Sequence, residues 1–329
     1  MTVNETLATY SNYLVYGAMA AFTVAMIAFA VSFASMRGRD LEPATSLPVT
    51  EEGGAVAVAT RVSTTTGGPD DGALPPGRRA GNIGMSTMWL GTILLGVGVL
   101  LRGLAVQRAP WGNMCEFSMT SAFAISLTFV LMSLRRDVRW LGVFVVTPVL
   151  LILGASMTFL YTEAAQLVPA LKSYWLVIHV SAAMICGAAF CIGATVTVLF
   201  LVADASERRH TEGRTSRLDG LAMRLPDSHR LDAMAYRIHA FMFPLWTFAV
   251  IAGAIWAENA WGRYWGWDPK ETWAFITWVA YAAYLHARAT AGWKGRKAAV
   301  VALIAFGCFV FNYVGVNIFI TGLHSYAGV

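Results

Sequence analysis

Three histidines and one tryptophan-rich loop are the parts of this chain whose residue types and spacing could do chemistry. The loop reads WGRYWGWDPKETW, residues 261–273, and sets the indoles of Trp261, Trp265, Trp267 and Trp273 around the acids Asp268 and Glu271. Tryptophan at a membrane interface is ordinary. A belt uses one or two per helix end, however, and four beside Tyr264 make enough flat apolar surface to dock a planar ligand. His179, in SYWLVIHV, and His324, in TGLHSYAGV, belong to the same side of the chain in the topology derived below. A neutral imidazole is a common axial ligand for porphyrin iron. Two of them beside an indole ledge suit a haem with its propionates toward Arg108, Lys172, Arg263 or Lys270. A third imidazole, His286, shares one helical face with Phe275, Trp278 and Ala282. It lies roughly 20 Å along the helix from Trp273. An ionisable side chain inside a membrane span is costly, which makes it a functional candidate. Asp268-Pro269-Lys270-Glu271 also reads as a helix start, with an acidic N-cap, proline at N1 and a glutamate reaching back. The two acids therefore have a capping role that needs no ligand.

The elements that must position these groups follow from composition. Hydrophobic residues make up 57% of the 329 and charged ones 13%, too apolar a balance for a soluble globular chain. A bilayer-spanning helix needs roughly 20 mostly apolar residues, and such runs occur at 13–36, 84–103, 117–134, 140–162, 175–203, 239–257, 273–291 and 299–321. The expected fold is an all-α polytopic membrane protein with about eight transmembrane helices. Of the 24 lysines and arginines, all but Arg102, Arg108, Lys172, Arg263 and Lys270 fall in segments on one side. The positive-inside rule makes that side cytoplasmic. Both termini, the 104–116 and 163–174 segments and the tryptophan loop are then extracytoplasmic, in a cell (plasma or inner) membrane. The net charge of +5 expresses topology rather than nucleic-acid binding, and no nucleic-acid motif accompanies it.

Residues 1–36 form an N-terminal transmembrane helix, which lacks a charged n-region and an A-x-A site and is expected to be retained. Residues 37–82, rich in Gly, Pro, Thr and acids, are expected to be a disordered cytoplasmic linker that leaves this helix loosely tethered. Residues 83–329 form a seven-helix core with the tryptophan loop at 258–273. The polar segment 204–238 carries seven arginines, and its LDGLAMRL suggests a short interfacial helix. There is no Walker A sequence, no dinucleotide glycine signature and no C-x-x-C; Cys186, Cys191 and Cys308 fall in apolar runs, where small core residues are expected. His210 and His229 are expected to be solvated, and His239 opens the sixth run.

W-G-x-x-W-x-W-D-P-x-E-x-W, with FITWVAYAAYLHAR after it and LDAMAYR, FPLWTFAVIAGAIWA and LLRGLAVQRAPWGNMCEF before it, resembles the CcsA/ResC family of system II cytochrome c maturation, called CcsB in some lineages. The resemblance covers most of residues 95–329. It implies a haem-handling subunit of a holocytochrome c synthase, or haem lyase, acting on haem b. It implies outer iron ligands at His179 and His324 and a ligand within the membrane at His286. The partner ligand of His286 would come from a ResB-like subunit. Further implied partners are apocytochrome c with its CxxCH motif and an extracytoplasmic thiol reductant. Asn113 and Glu116 match the family's N-x-Y-E segment, but Cys115 stands where tyrosine is usual. A different class of function is a b-type cytochrome that only passes electrons, with His239 and His286 on one haem and His179 and His324 on another.

Overall fold

The computed structural model describes residues 3–36, 77–164, 173–290 and 292–324. No β-strand occurs among them. In order the helices are α1 (Glu5–Ala34), α2 (Arg78–Val106), α3 (Met114–Ser133), α4 (Gly142–Thr158), α5 (Tyr174–Thr211), the short α6 (Asp219–Ala222), α7 (Ser228–Trp261), α8 (Pro269–Ala289), α9 (Arg296–Val310) and α10 (Val316–Phe319). A π-helical turn, Phe311–Gly315, joins the last two. Among the described residues, seven helices are long and apolar enough to cross a membrane: α1, α2, α3, α4 with the turn before it, α5, α7, and α9 continued through α10. The protein is thus an all-helical, multi-pass membrane protein.

The eighth expected span exists as α8 but falls short in apolarity, because Thr272, Thr277, Tyr281, Tyr284, His286 and Arg288 dilute it. Its 21 residues still cover roughly 30 Å. It runs antiparallel to α7 over that length: Arg288 pairs with Asp232 at 2.7 and 3.0 Å near one end, and the Trp278 indole N–H donates to Thr247 Oγ1 at 2.8 Å midway. A helix that buries polar groups against its neighbours does not need an apolar sequence to stand in a bundle.

Two sequence expectations are corrected here. The segment 204–238, read as a polar inner loop around one short helix, is mostly helix, because α5 continues to Thr211 and α7 begins at Ser228; the short helix expected in LDGLAMRL is α6. Apolarity marks where lipid begins and ends, whereas helical hydrogen bonds continue into polar sequence. The turn between is tied by Asp219, which accepts from Ser206 Oγ at 2.8 Å and Arg209 Nη2 at 3.0 Å. The N-terminal helix is also not loosely tethered. Val15, Phe22 and Phe29, seven residues apart on α1 and fully buried, sit against Gly98, Gly91 and Gly84, seven residues apart on antiparallel α2. A Cβ on Gly91 would stand 2.7 Å from the Phe22 ring. Ser11 Oγ donates to the Gly98 carbonyl at 2.7 Å. Small residues let two membrane helices approach closely enough for dispersion and a buried hydrogen bond to hold them without a hydrophobic driving force. Residues 37–76 of the expected linker lie outside the described residues, and α2 already begins at Arg78.

Candidate functional site

The site is built at the end of the bundle where α2, α4 and α7 finish and α3, α5 and α8 begin. A buried ion cluster frames it. Glu116, fully buried at the start of α3, accepts from Arg108 Nη1 at 2.7 Å, Arg102 Nε at 3.3 Å and the Gly112 N–H at 3.0 Å. Asn113 caps α3 by accepting from the Glu116 N–H at 2.8 Å. Arg102 also donates to the Thr162 carbonyl at 2.6 Å. The N-x-C-E segment therefore anchors a loop. Cys115 is fully buried, with its sulfur 3.3 Å from Ser156 Oγ on α4.

The tryptophan loop is held from within by Glu271. One oxygen accepts from the backbone N–H groups of Gly266 at 2.8 Å and Asp268 at 3.1 Å, and the other accepts from Arg263 Nη1 at 3.1 Å. The expected capping box is present, with Asp268 as N-cap and Pro269 at N1. Asp268 does more than cap. Its Oδ1 accepts from His324 Nδ1 at 2.7 Å and its Oδ2 from the Leu323 N–H at 2.7 Å, so the segment after α10 is pinned to the start of α8. Burial by itself would raise this carboxyl's pKa. The hydrogen bonds from His324 and Leu323, the neighbouring imidazole and the Lys270 N–H outweigh burial and leave it lowered. A carboxylate that accepts from Nδ1 fixes the proton there and makes Nε2 the lone-pair nitrogen.

His179, one turn into α5, reaches the same state through a different acceptor, the Ala249 carbonyl on α7, 2.7 Å from Nδ1. Its ring stacks over Trp256 at 6.3 Å and 9°. Gly253 makes the approach feasible, since a Cβ there would stand 2.7 Å from the imidazole.

Both histidines line one cleft of about 200 Å³, together with Trp265, Lys270 and Glu271. The π-helical turn brings Asn312 and Tyr313 into the same wall, and Trp111 and Trp246 complete it. Not all four loop indoles form the ledge. Trp265 lines the cleft, while Trp261 packs edge-on against His324 at 4.9 Å and against Trp256 at 4.8 Å. Trp273 turns into the bundle onto Phe311 at 4.2 Å. Trp267 is 67% exposed and adopts φ +57°, a left-handed conformation that costs an L-residue roughly 1–2 kcal/mol. Trp256, Trp246, Asn312 and the contacts of His179 with Ala249 and Gly253 were missed by sequence reasoning. FPLWTFAVIAGAIWA carried a small-residue signal opposite SYWLVIHV, but nothing in it tells which histidine it meets.

The deep stripe on α8 is a separate feature, since none of Phe275, Trp278, Ala282 and His286 lines the cleft. His286 is on an exposed face. His239 is fully buried on α7 among Phe190, Tyr281 and Tyr284, with neither ring nitrogen hydrogen-bonded among the described residues. Tyr284 and His286 are two positions apart on α8, which places them on opposite sides of the helix. His239 and His286 therefore do not share a site, against the pairing that an electron carrier would need. Lys172 lies outside the described residues.

A bundle of membrane helices closed at one end by an indole loop and two oriented imidazoles defines a class of integral membrane protein with a mostly apolar cleft at its rim. The family model for the cytochrome C assembly protein matches residues 111–324, which span the whole site from Trp111 to His324. Relatives named cytochrome c biogenesis protein CcsA are 37% identical in Chlamydomonas reinhardtii (73% of this chain, 67% of that one), 36% in Guillardia theta (71% and 81%) and 34% in Synechococcus elongatus (74% and 87%). The chain belongs to the cytochrome c assembly family, in its CcsA/ResC branch, and is a membrane protein of cytochrome c biogenesis.

Proposed function

We propose that this chain is the membrane subunit of a system II cytochrome c synthase. It takes haem b through the bilayer, holds it between His179 and His324 at the extracytoplasmic face of the plasma or inner membrane, and presents it to the CxxCH motif of unfolded apocytochrome c. The observation that carries this reading is the matched state of the two cleft imidazoles. Each commits Nδ1 to a fixed acceptor, so each has Nε2 as its lone-pair nitrogen, which iron ligation needs and packing does not.

Attachment adds each thiol S–H across a vinyl C=C: the C–S bond forms at the ring-side carbon and the hydrogen goes to the terminal carbon. No electrons leave the pair, so a thiol reductant is needed only to deliver both cysteines reduced. The chain's share in such a haem lyase complex is positional. A macrocycle fixed beside the thiols reacts as if they were present at high effective concentration. The exposed His286, on the same face of α8 as the stacked Trp278 and Phe275, supports a second station at membrane depth whose other ligand comes from a ResB-like subunit.

The test is co-expression with the ResB-like subunit and an apocytochrome reporter, scoring covalent haem on a denaturing gel. Alanine at His179, His324 or His286 is expected to abolish the stain, and exogenous imidazole to restore part of it for the first two. Wild-type staining in both His179→Ala and His324→Ala would overturn the reading.

A further inference from the structure

Among the described residues that line the cleft, Lys270 is the only lysine or arginine, and the arginines near it lie outside the lining and are paired. Arg108 and Arg102 both pair with Glu116, and Arg263 pairs with Glu271 while it lies over the Trp261 ring at 5.8 Å. Lys270 lines the cleft beside both imidazoles, and its ammonium has no hydrogen bond or ion pair among the described residues. The nearest acid, Asp268, is already committed to His324, Leu323 and the Lys270 backbone N–H. A half-buried ammonium whose charge partner, Asp268, is hydrogen-bonded elsewhere, two positions from the residue that orients His324, is a recognition element for an anion on the cleft's occupant.

We infer that Lys270 binds a propionate carboxylate of the porphyrin and thereby sets which edge of the macrocycle faces out of the cleft. This rests on the reading of the cleft as a haem site. The chemistry follows from the macrocycle's own asymmetry. Its two carboxylates lie on one edge and its vinyl groups on the edges away from them. Fixing a carboxylate at α8's first turn turns the vinyl carbons away from Lys270, where incoming thiols can reach them. Ligation through iron alone would leave the ring free to rotate about the His179–iron–His324 axis. One ammonium removes that freedom.

The test uses the purified full-length chain carrying His286→Ala, titrated with iron protoporphyrin and separately with its dimethyl ester, while the Soret band is followed. The diacid is expected to bind about tenfold tighter than the diester. Lys270→Gln should erase that preference by weakening the diacid alone, and Lys270→Arg should keep most of it. Equal affinity of the wild-type lysine for acid and ester, or a preference that survives Lys270→Gln, overturns the inference while leaving the histidine site intact. A titration with no Soret change dependent on His179 and His324 overturns both readings, so the two failures are distinguishable. The ester comparison needs no substitution at Lys270, so a variant that fails to fold cannot hide the result.

Discussion

Replacing Asp268 with asparagine tests how far its carboxylate orients His324. Asparagine caps a helix about as well as aspartate, so α8 should still start at Pro269 and the loop should keep its Glu271 contacts. The carboxylate accepts two bonds at 2.7 Å, from His324 Nδ1 and from the Leu323 N–H. An amide has one acceptor oxygen and one donor nitrogen, so it can satisfy only one of them. If the amide nitrogen meets the imidazole, the ring proton moves to Nε2 and the lone pair faces away from the cleft. If it meets Leu323, two N–H groups oppose each other and the segment lifts. Either way one charge-assisted bond of about 1.5–3 kcal/mol is lost. Loss of such an outer partner typically lowers metal affinity about 10–100-fold. The assay is a Soret titration of the purified protein, with thermal unfolding in parallel. The expected result is haem affinity reduced about 10–100-fold, with a small change in melting temperature and recovery on adding imidazole. Affinity within about twofold of wild type, in a protein that still loses haem on His324→Ala, would refute the orienting role.

Gly253→Ala should displace His179, because the new Cβ would stand 2.7 Å from its ring; covalent haem attachment is expected to fall at least about tenfold while helix content by circular dichroism is retained. Glu116→Ala leaves Arg102, 1% exposed, without its acid, and is expected to cost about 3–5 kcal/mol, read as reduced thermal stability and faster proteolysis near residue 110. His239→Phe removes a buried imidazole with two unsatisfied nitrogens, so stability should hold or rise by about 1–3 kcal/mol and cytochrome c maturation should be unchanged; loss of maturation would revive a role for that histidine. Gly91→Leu forces a side chain into the Phe22 ring and should detach α1 from α2, measured as lost cross-linking between cysteines placed at positions 14 and 98.

The groups that the sequence marked fared unequally, and the reason is geometric. Asp268 and Glu271 were legible as a capping box because capping is local, set within four residues. That they also pin His324 and the tryptophan loop was not legible, since those contacts join residues 55 or 56 positions apart as well as near neighbours. The four indoles were read as one ledge, yet Trp265 lines the cleft, Trp261 and Trp273 pack inward, and Trp267 projects outward. Their number was visible, but the turn that distributes them was not.

Sequence alone determined that the chain crosses a membrane repeatedly as helices, where α8 starts, and which histidines stand near the tryptophan loop. Those follow from run length, cap chemistry and charge placement, each encoded within a few residues. Tertiary structure decided which face of each helix looks inward: His239 enclosed and His286 exposed, Phe22 and Phe29 seated on glycines, and His179 donating to a carbonyl 70 residues away. In a soluble helix the apolar stripe would have shown this in advance. In a bilayer, lipid-facing and core-facing positions are equally apolar. The pattern that locates a helix in the membrane therefore does not tell it which way to turn.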